Sequence, residues 1–203
     1  MIRAPYLLIA PLFALLAACS SPPPAESRYE LDANRPESAT TAPRFADTLK
    51  VMLPNAVAGL DGTRFIYRET AQRYARDPYR GYTSPIPLFV SDRMTDWLNR
   101  SNLFTHVIPG RSPWGTRYVL ESDIRAFYID LRPDQPRTAQ VRLGARVRDT
   151  ETNTFVYDGE VAGAARVADP ANGDSFAAAQ SQALGEALTQ LETALRKVQI
   201  PAQ

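Results

Sequence analysis

The only imidazole of the sequence, His106, lies in Thr105-His106-Val107-Ile108. It is the side chain whose ordinary pKa sits closest to neutrality, so it is the first candidate for general-base chemistry. Such a base needs a nucleophile to activate and an acid to orient it, and the neighbouring sequence supplies neither. A structural histidine is the expectation, and an envelope hydrolase using His106 ranks last among the functions considered. Glu121 and Asp123 stand two apart on a predicted strand and share a face. They could form a carboxylate pair, although solvated strand positions explain them equally well. Trp97 and Trp114 suit a core residue and a loop anchor better than a ligand cage. No GxxxxGK, GxGxxG, HExxH or GxSxG pattern occurs. One His and one Cys cannot build a multi-ligand zinc site, an iron–sulfur cluster or a disulfide. The expectation is a non-enzyme without a cofactor or metal.

A binding surface is the stronger local signal. Residues 64–82 hold Arg64, Arg68, Arg73, Arg76 and Arg80 with Tyr67, Tyr74, Tyr79 and Tyr82, against Glu69 and Asp77, a local balance of +3. Arg and Tyr are favoured at interface hot spots, and basic patches attract anionic headgroups. Arg64, Tyr67, Arg68, Arg73, Tyr74, Arg76, Tyr79 and Arg80 are therefore the candidate partner or lipid-headgroup surface. The competing reading is an exposed hairpin in a chain that uses Arg 21 times and Lys twice.

The single cysteine carries a different chemistry. Met1-Ile2-Arg3 precedes a 13-residue apolar stretch, Tyr6 to Ala18, which is short for a membrane span of about 20 residues and fits the apolar region of a secretory signal. Leu16-Ala17-Ala18-Cys19 resembles the lipobox of bacterial lipoproteins, in which the Cys sulfur is acylated and becomes the new N-terminus. At ~0.8 kcal/mol per buried CH₂, two or more acyl chains anchor stably. Ser20 follows, not Asp, which in similar lipoproteins accompanies sorting to the outer membrane; the expected location is its periplasmic face.

The elements that must position these groups follow from spacing. Residues 19–43 form a lipidated, Pro-rich tether with a short strand at 28–31, and residues 32–43 read as linker. Residues 44–200 are expected to form one domain. Leu49–Leu53 reads as a strand; residues 64–68 and 72–76 read as a hairpin, broken after that by Asp77-Pro78 and Gly81. Apolar residues between Leu88 and Leu98 predict an amphipathic helix over 86–100. A short strand at 104–108 precedes long strands at 117–129, 138–148 and 154–167, with Asn153 in the left-handed conformation of the last turn. Phe176, Ala179, Ala183, Leu184, Ala187, Leu188, Leu191, Leu195 and Val198 recur at 3.6-residue spacing, capped by Asp174 or Ser175. The expected fold is α+β: a mainly antiparallel sheet with two amphipathic helices packed on one face, a two-layer sandwich.

The 203 residues carry 23 Lys+Arg against 22 Asp+Glu with 44% hydrophobic residues. Near-neutral charge argues against nucleic-acid binding, and the apolar content suits a globular domain. Removing residues 1–18 leaves 185 residues.

Taken in order, the lipobox, Tyr29-Glu30-Leu31, Arg64-Phe65-Ile66-Tyr67-Arg68, Arg100-Ser101-Asn102-Leu103-Phe104, Tyr118-Val119-Leu120-Glu121 and the Val141-to-Asp149 strand resemble the PqiC-like family of ABC-type transport auxiliary lipoproteins. Where many relatives have a Trp after the tyrosine-rich stretch, this chain has Tyr82 and Ser84-Pro85; Asn153 replaces the usual Gly. The resemblance implies a non-enzymatic outer-membrane docking subunit. Its implied partners are a periplasmic MCE-domain protein and an ABC permease and ATPase that move lipids between membranes. Homo-oligomerisation is left open. The alternative is a periplasmic lipoprotein that holds a hydrophobic ligand in a sheet–helix cavity, which would need roughly 300 Å³ or more.

Overall fold

The computed structural model describes residues 24–37 and 42–198. The signal segment and Cys19 lie outside the described residues. The elements are β1 (Ser27–Tyr29), β2 (Phe45–Val51), β3 (Asn55–Ala56), β4 (Arg64–Arg68), β5 (Tyr74–Tyr82), α1 (Ile86–Ser101), β6 (Phe104–Pro109), β7 (Tyr118–Asp130), β8 (Thr138–Asp149), β9 (Thr154–Arg166) and α2 (Gly173–Lys197). Among the described residues, no helix is long and apolar enough to cross a membrane.

All these strands join one sheet built around β7. Along one edge β7 pairs antiparallel with β8 over its whole length, and β8 pairs antiparallel with β9. Along its other edge lie β2, β3 and β4 in succession, all parallel to it, with Val51 opposite Leu120, Asn55 opposite Asp123 and Tyr67 opposite Ile129. The sheet forks there: β6 extends the branch begun by β2, and β5 then β1 extend the branch begun by β4. The sheet is therefore mixed, which corrects the expectation of a mainly antiparallel one. Turn residues specify pairing between neighbours in sequence, as at β7–β8–β9. The parallel pairs of β2, β3 and β4 with β7 arise because the chain returns through α1 before β7 is laid down, a crossover without a local sequence signal.

One sheet face is closed by the helices. Val141, Leu143, Ala145 and Val147 of β8 are buried, while Arg142, Arg146 and Arg148 between them are more accessible, so the alternation read from sequence holds. On α2 the apolar stripe meets this face, with Ala183, Leu184, Ala187, Leu188, Leu191 and Leu195 fully buried. Its N-cap is Asn172, whose side chain accepts from the Asp174 amide at 2.9 Å, so the cap lies two residues earlier than expected. Gly163 on β9 lets the helix approach: a Cβ there would overlap the Ala183 carbonyl oxygen. Helix α1 begins with Pro in its first turn and ends at Asn102, φ 53°. Asn153 has φ 54°, as its turn requires.

Two local expectations change. Strand β5 continues through Asp77-Pro78 to Tyr82, because a register shift opposite Arg64–Ile66 absorbs these residues as an irregularity. The linker composition of 32–43 conceals a packed segment. Leu31 and Ala33 are buried, the Asp32 amide donates to Ser181 Oγ at 2.9 Å, and the Arg35 guanidinium grips Glu192 at 2.8 and 2.9 Å. Glu192 also accepts from Trp97 Nε1 at 2.9 Å and from Arg196 at 2.6 Å. Burial pushes this carboxyl up, but Arg35, Arg196 and Trp97 outweigh it and hold its pKa at about 2. One carboxylate thus joins the N-terminal segment, α1 and α2.

Candidate functional site

The arginine and tyrosine side chains of 64–82 do not form one surface, because strand alternation sends them to opposite faces of the β4–β5 hairpin. Tyr67, Asp77, Arg80 and Tyr82 lie on the helix side. The Tyr67 hydroxyl donates to Asp77 Oδ2 at 2.6 Å, and Asp77 also accepts from the amides of Tyr79 and Arg80 at 2.8 and 2.9 Å. Burial and this bond push the Tyr67 hydroxyl well above its ordinary value. For Asp77 burial acts upward, but Tyr67 and the two amides prevail and lower its pKa. Arg80 lies 3.5 Å from Asp77, with its guanidinium 5.8 Å from the centre of the Phe176 ring. Tyr82 packs edge-on against Phe65 at 4.8 Å. These groups bind the hairpin to α2.

Arg68, Tyr74 and Arg76 lie on the outer face. The Arg68 guanidinium stands 5.7 Å from the Tyr74 ring centre and 5.9 Å from that of Tyr128, and it donates to the Thr70 and Ala71 carbonyls. Burial, with Tyr128 close by, raises the Tyr74 pKa. The remaining members scatter. Arg64 donates to the Pro78 carbonyl at 2.7 Å and pairs with Glu26 at 2.7 Å, Arg73 pairs with Glu69 at 2.7 Å, and Tyr79 faces solvent.

Beside the outer members the fork of the sheet opens a groove of about 660 Å³. Its apolar lining includes Val57, Leu60, Ile66 and Ala126, with Tyr74 and Tyr128 at one end and Arg76 and Arg125 beside it. The groove falls in the 300–1,000 Å³ range of ligand and anchor pockets. Arg76 Nη2 donates to the Gly59 carbonyl at 3.4 Å, and Arg125 pairs with Glu160 at 2.7 Å. A register shift between Ile124 and Ala126 places both Ala126 and Phe127 in buried positions. Sequence reasoning found Tyr74 and Arg76 but missed the other walls, because segment 57–60 and β7 meet only through the parallel branch. The available signal was that Arg125 and Tyr128 follow Glu121 and Asp123 among the polar positions of one long strand.

The other candidates separate. Glu121 and Asp123 share the outer face, as expected, but each faces an arginine at 3.6 Å, Arg148 and Arg146 respectively, so they form ion pairs with a neighbouring strand and not with one another. His106 is exposed on β6, and no hydrogen bond to its ring is found among the described residues. Trp97 is a core residue, as read. Trp114 does not anchor its loop: it is 74% exposed. Among the described residues no group of three His, Cys, Asp or Glu side chains could hold a metal ion.

No family model and no curated protein matches this sequence. Solved structures do match. The crystal structure of XCC0632 from Xanthomonas campestris, assigned to the family model DUF330, superposes with a TM-score of 0.68 at 20% identity, covering 84% of this chain and 93% of that one. The two chains share a fold. A second structure, of a protein described as uncharacterized, has a TM-score of 0.63 at 12% identity and covers 84% of this chain and 98% of its own. Both coverages extend beyond the β7–β8–β9 meander, so the forked sheet with its two helices is the shared unit.

Proposed function

We propose that this protein is a lipoprotein of the outer membrane, held by acylated Cys19, that serves without catalysis as the docking subunit of an ABC/MCE-type intermembrane lipid transporter. The observation that carries this reading is a coincidence of sequence and fold. Beyond the lipobox, the blocks that resemble the PqiC-like family fall in order on one fold: the end of β1, all of β4, the α1–β6 connection, the start of β7, and β8. The fold that holds them is shared with a DUF330 protein over most of both chains. The partners are a periplasmic MCE-domain protein and, through it, an ABC permease and ATPase.

The interior favours docking over ligand carriage between sheet and helices. Leu49, Ile124, Leu143, Leu184, Leu188 and Leu191 are fully buried at that interface, and the groove of about 660 Å³ opens on the opposite face. Affinity capture of the full-length protein from crosslinked envelopes should recover the MCE-domain protein, and recovery of no transporter component would refute the reading. Mass spectrometry of the mature N-terminus should find acyl chains on Cys19; an unmodified thiol would remove the anchor.

A further inference from the structure

We infer that the outer face of the sheet fork, from Trp114 past Met52 and Val57 to the Arg76 groove, is the surface on which the protein docks its partner, and that the docked segment pairs an aliphatic or aromatic anchor with an acidic side chain. The inference deepens the proposed function and rests on it for the identity of the partner.

Loop 110–117 crosses the outer face of β2, where Lys50 Nζ donates to the Ser112 carbonyl at 3.1 Å. It presents Trp114, 74% exposed, on the face where the segment after β2 leaves Met52 38% and Val57 52% exposed. Val57 also lines the groove, so the apolar surface leads into a concave slot. Large apolar side chains exposed on the same face as a concave slot suit interface anchors surrounded by a polar rim. The rim is cationic: Arg76 and Arg125 flank the slot, and Arg68 lies between the two tyrosines at its end. A carboxylate beside an apolar anchor complements that arrangement.

Chain geometry and shape favour a protein over the membrane. Strand β1 runs parallel to β5, with Ser27 opposite Arg80, so residues before Ser27 leave the sheet near the Asp130 end of β7. From Cys19 to Pro24 the chain reaches at most about 17 Å. The Tyr118 end of β7, beside the Trp114 loop, lies about 40 Å from the Asp130 end. The chain toward Cys19 therefore leaves the domain at the end opposite the Trp114 loop. A flat bilayer also could not fill a slot of about 660 Å³.

The test places a photocrosslinking residue at Trp114 or at Tyr74 in the full-length lipidated protein, with Thr193, exposed on α2, as a control position, and identifies the adducts in intact envelopes by mass spectrometry. Both sites should capture one and the same protein, and Tyr74 should capture it through a peptide that carries Asp or Glu beside a large apolar residue. The double variant Val57→Glu, Arg76→Glu should lower the Tyr74 yield at least tenfold. Both substituted side chains are exposed, and an unchanged melting temperature will show that the fold is kept. Adducts to phospholipid or to a second copy, yields equal to the Thr193 control, or indifference to the double variant would overturn the inference. A captured peptide from an MCE-domain protein supports both readings. A peptide of that chemistry from a different protein keeps the docking surface and removes the transporter. Recovery of the MCE-domain protein by affinity capture without Trp114 or Tyr74 adducts removes the surface and keeps the function.

Discussion

The two faces of the sheet use the same residue types for different ends. Facing the helices, the buried carboxylates are fully partnered: Glu192 receives Arg35, Trp97 and Arg196, and Asp77 receives Tyr67 and two amides. On the outer face the arginines form solvent-accessible pairs, Arg148–Glu121 and Arg146–Asp123 at 3.6 Å and Arg125–Glu160 at 2.7 Å. Desolvation separates them. A buried charge must be fully partnered or it destabilises the fold, whereas an exposed pair is worth about 0–1 kcal/mol and leaves its members available to a partner. Stability should be concentrated on one face and recognition on the other.

The comparison breaks if removing a helix-side charge is harmless. Glu192→Ala strands two arginines and an indole N–H and should cost about 3–5 kcal/mol in chemical denaturation. Its titration gives a second reading. Because the folded pKa, about 2, lies below the unfolded value of 4.5, the stabilisation is present above pH 4.5 and lost as pH falls toward 2. Glu192→Gln should flatten that part of the stability–pH curve; an unchanged slope would place the acid-sensitive group elsewhere.

Gly163→Val should force α2 off β9 and cost about 1–3 kcal/mol, read as a lowered melting temperature. Tyr67→Phe leaves Asp77 one donor short and should cost about 1–2 kcal/mol. At the bottom of the scale, Arg148→Ala and His106→Ala should each change stability by less than about 0.5 kcal/mol. His106→Ala should also leave the proposed transport role intact, and loss of that role in the variant would reopen a chemical role for the imidazole. A cost above 1 kcal/mol for Arg148→Ala would show the outer face to be structural as well.

Helix α2 was legible because its nine apolar positions repeat at 3.6 residues, and β8 because Val141 to Val147 alternate with arginines. Both patterns are local. The Arg/Tyr segment was legible in composition but not in arrangement: the irregular β4–β5 pairing decides which arginine meets Phe176 and which meets Tyr128. The groove was not legible, since Val57, Ile66, Arg76 and Ala126 come from segments up to 69 residues apart that meet through parallel pairing along β7. Nor was the docking of Leu31, Ala33 and Arg35, whose Pro-rich and polar surroundings have the composition of a linker.

Sequence by itself determined the anchor candidate Cys19, the absence of the usual catalytic motifs, the two helices and the three-strand meander, because each is written in contiguous residues or in a short period. Tertiary structure alone decided the mixed fork of the sheet, the division of the hairpin between two faces, the Glu192 junction and the exposure of Trp114. Those features depend on which segments lie side by side after the α1 crossover, and that choice is settled by burial of the whole apolar face and not by any one segment's pattern.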